Sequence, residues 1–294
     1  MSQSLTHYSE ERVLAGASAP GEIYRDRRLS EGYPGIESLA LEKFSDTLEA
    51  HASGYGRIEN LLIYLDRLVD LGGERNLLVL GCGPKPETVK ILIEKNHKVV
   101  GVEPVPSFVR SAREYLGSDG AVIEGAAESI PLPDESQHMV FCDSVLEHVT
   151  SPTKSLNEIY RVLASGGIAF ITTTNRYKIS LTGDNGEYRY RFFNWLPKLV
   201  KECLVFKHLH YDPKLANYSQ LPAVHWFTYA DMCALGREAG FARFYSTLDL
   251  LDQNDHSVRK SLLRRLLLKR LKFNPWLRAL ALTQLGGTII MLKD

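Results

Sequence analysis

The chain has 294 residues, of which 44% are hydrophobic and 10% aromatic, enough for one large α/β domain with additions or for two small domains. Its 35 lysine and arginine residues balance 35 aspartate and glutamate residues, so it lacks the overall positive field that is typical of nucleic-acid-binding proteins. The four widely spaced cysteines include no CxxC pair, which argues against a zinc site or a disulfide framework and favours a reducing, cytoplasmic location.

Residues 1–56 are polar and carry scattered tyrosines, and we expect them to form a helical N-terminal extension or cap. This region contains no basic-then-apolar signal segment, and no apolar run approaches the roughly 18 residues that cross a bilayer, so neither export nor a membrane span is expected. A helical pattern follows and ends at Gly72 and Gly73. We therefore place the main domain at residues 57–294.

Strand and helix patterns alternate through the first half of this domain, which is typical of a parallel sheet with crossover helices. The apolar runs predict strands at residues 76–80, 98–102, 121–123, 138–142 and 167–173. Helical spacing predicts helices at residues 87–95, 106–116 and 152–164.

After the fifth strand the alternation stops. Residues 176–226 are aromatic and basic, and we interpret this long connection as an inserted lid that contacts a substrate. A helix at 228–241 and a strand near 242–251 resume the α/β pattern. Residues 257–282 are predicted to form a basic helical insertion before a final strand at 286–292.

The stretch from residue 76 to residue 104 consists of a strand, a glycine turn, a helix and a second strand that ends in an acid. This is the arrangement of a mononucleotide-binding half. The glycine turn is unusual because Gly81-Cys82-Gly83 is followed by Pro84-Lys85-Pro86. Pro86 stands where the dinucleotide fingerprint GxGxxG has its third glycine, which argues against a nicotinamide dinucleotide cofactor.

Five stretches in this order look familiar: "VLGCG", "GVEP", "GAAESIPLPDES", "DSVLEHV" and "RVLASGGIAFITTTN". With them the chain resembles the class I S-adenosylmethionine-dependent methyltransferases over roughly residues 57 to 294. The resemblance is greatest to small-molecule O-methyltransferases of the ubiquinone-biosynthesis type. It implies a Rossmann-like α/β fold with a seven-stranded sheet whose last strand, "GGTIIML", runs antiparallel.

The resemblance also implies the chemistry. The expected cofactor is S-adenosyl-L-methionine, the product is S-adenosyl-L-homocysteine, and no metal is expected. The expected acceptor is a small molecule, with a hydroxyl oxygen on a natural product, a quinone-like compound or a sugar-containing metabolite as the methylated atom. Two alternatives remain open: a catalytically silent cofactor-binding scaffold or regulator, and a nucleic-acid methyltransferase, which the neutral charge and the sequence "CDSV" after the fourth strand oppose.

In the resembled family the glycine loop contacts the methionine part and ribose of the cofactor, which here assigns Gly81, Cys82 and Gly83 to that role. Glu103 lies at the end of the second strand, where a carboxylate can accept hydrogen bonds from both ribose hydroxyls. Pro104 would flank the adenine. Val79 stands where relatives often carry an acid, so this chain lacks one polar partner for the cofactor.

Two further loops complete the implied cofactor site. The backbone of Ala127 would donate to the adenine ring, and Glu128 is either the acceptor for the adenine amine or only a loop charge. Asp143, Ser144 and Val145 follow the fourth strand and would line the methyl-donating end of the cofactor.

His148 and His225 are the candidates for a general base, because an imidazole titrates near neutrality and can take the proton of an attacking hydroxyl. A purely structural role is the alternative for both. Some relatives bind a divalent ion through an ExxEH arrangement, but Ser144 occupies the first acid position here, which argues against a metal.

Leucines and basic residues are interspersed between residues 259 and 278. A basic amphipathic stretch of this kind can lie on an anionic membrane or contact an acidic partner. It can also be a solvated helix that packs its leucines against the domain.

Overall fold

The computed structural model describes residues 61–63, 65–69, 73–117, 121–178, 188, 190–209, 222–251, 261–285 and 287–294. The predicted N-terminal cap at residues 1–56 lies outside the described residues. The helix expected before Gly73 is represented by residues 61–63 and 65, which are helical, and Leu65 is fully buried.

The centre of the domain is a seven-stranded sheet in the order β3-β2-β1-β4-β5-β7-β6. Strands β1 to β5 pair in parallel, and β7 runs antiparallel between β5 and β6. The Rossmann-like sheet with an antiparallel last strand is thereby confirmed. The strands are β1 (Asn76–Leu80), β2 (Lys98–Glu103), β3 (Val122–Glu124), β4 (Gln137–Asp143), β5 (Leu163–Thr172), β6 (Arg243–Ser246) and β7 (Thr288–Leu292).

The strand order reverses between β1 and β4, which are neighbours in the sheet although β2 and β3 lie between them in the chain. Open α/β sheets bind ligands at such a switch point, in the crevice beyond the carboxyl ends of the strands. The glycine loop follows β1 and the 143–149 segment follows β4, so both predicted site segments lie at this crevice.

Both faces of the sheet are covered. Leu78, Val140 and Ala169 belong to one buried cluster, and their neighbours in the chain, Leu77, Met139 and Ile168, belong to a second. Successive side chains of a strand point to opposite faces, so a strand buried on both sides must be apolar throughout. This requirement produces the uninterrupted apolar runs from which β1, β2 and β4 were predicted.

The helices in chain order are α1 (Glu87–Glu94), α2 (Pro106–Leu116), α3 (Pro152–Val162), α4 (Lys198–Lys207), α5 (Tyr229–Ala239), α6 (Thr247–Leu250), α7 (Leu262–Phe273) and α8 (Pro275–Leu285). The described part of the predicted lid contains α4 and a 3-10 turn at Phe193–Trp195. None of the described helices is long and apolar enough to cross a membrane.

Two predicted boundaries were wrong. The third helix ends at Val162 and β5 begins at once with Leu163, because an irregularity in the β4–β5 pairing places Leu163 opposite Gln137. The strand predicted near 242–251 stops at Ser246, whose side chain and that of Asp249 form a capping box that starts α6.

Candidate cofactor and acceptor site

The glycine loop turns directly after β1. Gly81 has a φ of +62° and Gly83 a φ of +69°, the left-handed region that favours glycine. The Gly81 N–H donates to the Val102 carbonyl at 2.8 Å, which joins the start of the loop to β2. A Cβ on Gly81 would lie 2.5 Å from the Val145 side chain, so the loop passes too close to the segment after β4 for any other residue.

Glu103 is the last residue of β2, and its side chain is buried, with 5% of the residue exposed. Its Oε2 accepts a hydrogen bond from the Gly83 N–H at 3.0 Å, and its Oε1 accepts one from the Val105 N–H at 3.2 Å. Burial raises the pKa of Glu103 to about 7, against the lowering effect of the two N–H donors. A carboxylate has about four acceptor sites, so capacity for further donors remains after these two bonds.

Cys82 lies between the two glycines and beside Glu103. Burial and the negative charge of Glu103 raise the pKa of the Cys82 thiol to about 12. The thiol therefore stays protonated at neutral pH and is a poor nucleophile.

The segment after β4 is bound to the end of β5. Asp143 is exposed and accepts a hydrogen bond from the Thr172 hydroxyl, while the Ser144 N–H donates to the Thr172 carbonyl at 3.1 Å. Ser144 has a φ of +54°, which is uncommon for a residue with a Cβ. Strained backbone of this kind is concentrated at functional sites.

The loop that contains Ala127 and Glu128 lies between β3 and β4, and Ala127 is buried. Glu128 Oε1 accepts hydrogen bonds from the Thr150 N–H at 2.7 Å and from the Thr150 hydroxyl at 2.8 Å. The Glu128 carboxylate is thus bound by Thr150, which lies just before the start of α3. The sequence did not indicate this partner.

The two candidate bases have different surroundings. His225 is 8% exposed, and its Nε2 lies 2.9 Å from the Val149 carbonyl, so Nε2 carries the proton and donates. Burial lowers the pKa of His225 to about 4. His148 is half-buried in the turn that follows Ser144, and its N–H donates to the Val145 carbonyl at 2.9 Å.

Glu147, which precedes His148 in the chain, is fully buried. Its Oε2 accepts a hydrogen bond from the Thr173 hydroxyl at 2.9 Å, and its carbonyl accepts from the Val224 N–H at 3.0 Å. Glu147 therefore connects the turn after β4 to the end of β5 and to the end of the predicted lid. Within the part of the chain that the structure describes, no three histidine, cysteine or carboxylate side chains are grouped as a metal would require.

Residues 78–171, which extend from β1 to β5 and include every segment of the crevice above except the lid, match the methyltransferase domain family. This part of the chain is thus a methyltransferase domain, and a probable S-adenosylmethionine-dependent methyltransferase from Mycolicibacterium smegmatis is among the similar proteins, 28% identical over 119 residues.

Curated proteins that are similar to the chain match over part of its length. It is 26% identical over 187 residues to a ubiquinone biosynthesis O-methyltransferase from Coxiella burnetii, covering 59% of this chain and 77% of that protein. It is 24% identical over 151 residues to a malonyl-[acyl-carrier protein] O-methyltransferase from Serratia marcescens, covering 49% and 58%. The matched part spans less than two thirds of the length of the first four curated relatives.

Among solved structures, the chain is similar to a Thermotoga maritima protein described as a possible histamine N-methyltransferase. The identity is 24%, the TM-score is 0.41, and the alignment covers 67% of this chain and 80% of that one.

The residues at the crevice fit S-adenosylmethionine. Beside the glycine loop, Glu103 offers a buried carboxylate with spare acceptor sites. Val79 stands where relatives often carry an acid, and here it packs in the apolar core of the sheet. A buried acceptor at this place suits a ligand with hydroxyl groups.

Lys201 was not singled out from the sequence. It lies on α4 with 3% of the residue exposed, and its Nζ is 5.6 Å from the centre of the Phe193 ring and 5.4 Å from that of Trp226. Burial lowers the pKa of Lys201 to about 8, and the charge of Arg176 adds to this effect. The aromatic residues of the lid thus surround a cation, and no local sequence pattern distinguishes this lysine from the others of α4.

Proposed function

We propose that the chain transfers a methyl group from S-adenosylmethionine to a small-molecule acceptor. The buried carboxylate of Glu103 beside the Gly81–Gly83 turn, at the switch point of a methyltransferase-family sheet, is the observation that carries this proposal. When bound, the cofactor supplies a methyl group on a positively charged sulfur, a good leaving group. The protein then contributes mainly proximity and alignment.

Each segment of the crevice has a role in this proposal. Glu103 accepts hydrogen bonds from the ribose hydroxyls, and the backbone of Gly81, Cys82 and Gly83 approaches the ribose and the methionine part. The remaining proposed contacts are Pro104 and Ala127 at the adenine, Glu128 in the same loop, and Asp143, Ser144 and Val145 at the methyl-donating end.

The proposed acceptor atom is a hydroxyl oxygen of a natural product, a quinone-like compound or a sugar-containing metabolite. Three of the matched relatives are named as O-methyltransferases, two of them of ubiquinone biosynthesis, which supports oxygen. A ubiquinone/menaquinone biosynthesis C-methyltransferase matches as well, so the acceptor atom has to be identified in the product.

We assign the general base to His148. His225 has a depressed pKa and a bond to the Val149 carbonyl, so it is a weak base that holds the lid against the turn after β4. His148 lies on that turn and is partly exposed beside the proposed methyl-donating end. A hydroxyl oxygen is a poor nucleophile until its proton leaves, which is the step that His148 would assist.

Calorimetric titration of S-adenosylhomocysteine tests the cofactor site. Glu103→Ala should weaken binding by roughly 1–3 kcal/mol, because the ribose hydroxyls lose a charged acceptor. Glu124→Ala is the matched control: Glu124 is exposed, ends the neighbouring strand β3 and pairs with Glu103 in register. Equal affinity of both variants and the wild-type protein would remove Glu103 from the site.

Methyl transfer itself is measured with labelled S-adenosylmethionine and a panel of phenols, hydroquinones and sugars, followed by mass spectrometry of the product. Transfer to a hydroxyl oxygen is the expected result. Tight cofactor binding without transfer to any acceptor would instead favour the silent scaffold.

A further inference from the structure

The outer face of α7 and α8 exposes large apolar side chains. Trp276 is 85% exposed, Phe273 79% and Leu263 75%. Of the α7 leucines, Leu268 alone is buried. The other strongly exposed apolar residues on the two helices are Leu262, Leu266, Leu267 and Leu280. Large apolar side chains exposed together on two helices that pack against each other indicate an interaction site.

Contacts on the inner side of α7 and α8 explain why their outer face remains exposed to solvent. Leu268 packs with Leu248 of α6 in a small buried cluster. Arg278 of α8 donates from both terminal nitrogens to the Asp249 carboxylate of α6, at 2.8 and 2.6 Å. These contacts fix the orientation of α7 and α8 on the domain. Burying the exposed leucines and aromatic residues by rotating the helices would break these contacts.

The same segment is strongly basic. Residues 261–285 contain six basic residues and no acidic one. Arg278 is paired with Asp249. The other five basic residues are Arg264, Arg265, Lys269, Arg270 and Lys272. Two such faces would repel each other, so a second copy of the chain is a poor partner for this surface.

Apolar and aromatic side chains together with Lys and Arg are the combination that binds the interface of an anionic bilayer. The leucines enter the boundary between headgroups and acyl chains, Trp and Phe rings prefer the headgroup level, and basic residues are attracted to anionic lipids. The helices have 12 and 11 residues, which is shorter than a membrane span and suits helices that lie on the surface.

We propose that the outer face of α7 and α8 is a docking surface for an anionic lipid bilayer. α8 contacts the chain just beyond the carboxyl end of β5, where the Asn175 side-chain amide donates to the Thr283 carbonyl at 3.0 Å. Docking would hold this edge of the crevice next to the membrane, where an apolar acceptor concentrates. The docking surface holds whether or not the chain transfers a methyl group, since it rests on α7 and α8 alone.

The test is co-sedimentation of the full-length chain with vesicles of phosphatidylcholine alone and with vesicles that contain phosphatidylglycerol. We expect binding to the anionic vesicles, weaker binding at high salt, and a blue shift of Trp276 fluorescence that Trp276→Phe abolishes. Absence of binding to anionic vesicles, or equal binding to both vesicle types, would overturn the proposal. A protein partner would then be the remaining reading of the surface.

Two double variants separate the contributions. Arg265→Gln with Arg270→Gln should weaken binding to anionic vesicles by about 20-fold or more, at about 5-fold for each basic side chain. Phe273→Gln with Trp276→Gln should weaken it by at least about 10-fold. Lys154→Gln on α3 and Ile93→Gln on α1 are exposed controls that should bind normally. Normal binding by both double variants would place the contact elsewhere. Urea unfolding of each variant shows that the fold is intact.

Discussion

The crevice and the α7–α8 surface distribute apolar and charged side chains in opposite ways. At the crevice a carboxylate, Glu103, is buried, and at α7–α8 a tryptophan, Trp276, is exposed. The buried acid is held by backbone N–H donors of the loops that it joins, whereas the exposed tryptophan belongs to a face whose inner side alone packs on the domain.

This difference separates two kinds of site. A buried charge in a tight loop is stabilised by internal bonds and is suited to a ligand that enters the protein. An exposed apolar face gains nothing from the fold, and its burial requires something outside the chain. Substitutions in the first region should therefore affect stability, and substitutions in the second should affect association.

Gly81→Ala is the variant that tests this difference with the largest effect. We expect it to lower the free energy of unfolding by roughly 2–5 kcal/mol, since Ala must adopt a left-handed φ and its Cβ meets Val145. Trp276→Gln should change it by less than about 0.5 kcal/mol. Urea unfolding monitored by circular dichroism measures both.

Gly117→Ala is the matched control, because Gly117 has a φ of +64° and nothing within 4 Å of an added Cβ. It should cost only the backbone strain of about 1–2 kcal/mol. Val145→Ala in the Gly81→Ala background should restore part of the difference. A Gly81→Ala variant as stable as Gly117→Ala would show that the loop can move away from Val145.

Variants of His148 and His225 test which of the two histidines acts as the general base. His148→Asn should lower turnover by roughly 10²-fold or more and leave the affinity for S-adenosylhomocysteine unchanged, because a general base contributes about 10²–10⁴. His225→Ala should instead lower the free energy of unfolding by about 1–3 kcal/mol, because it leaves the Val149 carbonyl without its donor.

The comparison uses initial rates of methyl transfer to the acceptor that the panel identifies, together with urea unfolding of both variants. Near-normal rates in both would mean that alignment alone suffices or that the acceptor is already acidic. A slow, fully stable His225→Ala variant would move the base to the lid.

The sequence predicted the parallel part of the sheet because β1 to β4 are short apolar runs bounded by turn residues, and this local signal survives in the fold. It failed at the end of α3. The helix was predicted to extend to residue 164 and the strand to begin at residue 167, but β5 begins at Leu163, where the pairing with β4 is irregular. That irregularity depends on the neighbouring strand and leaves no local pattern.

The candidate site shows the same limit. Glu103 was predicted because the end of the second strand is a fixed position relative to the glycine loop. The bond from Thr150 to Glu128 joins residues 22 apart, and the rings around Lys201 come from the 3-10 turn and from the residue after His225. Contacts of this kind depend on how the loops close, which the sequence does not specify residue by residue.

The smallest effect concerns the titration of Glu103. Its pKa of about 7 in the folded chain lies above the ordinary value of 4.5, so the folded state holds a proton that the unfolded state releases between these values. The stability that this proton contributes is complete below pH 4.5 and is lost as the pH rises through 7. Relative to Glu103→Gln, the wild-type protein should therefore become less stable between pH 5 and pH 8.

Cofactor affinity should change in the opposite direction over part of that window. Ribose hydroxyls donate to the ionised carboxylate, and its population in the free protein rises about tenfold from pH 6 to pH 8 when the pKa is 7. Calorimetry with S-adenosylhomocysteine should show an affinity that increases by up to about tenfold for the wild-type protein. Glu103→Gln, which cannot titrate, should give a flat profile, and any titration of the ligand itself appears equally in both proteins. If the two affinity profiles run parallel, either Glu103 is already ionised at pH 6 or it does not contact the cofactor. Unfolding free energies of the wild-type protein and of Glu103→Gln that show no difference in pH dependence would favour the first explanation, that Glu103 is already ionised.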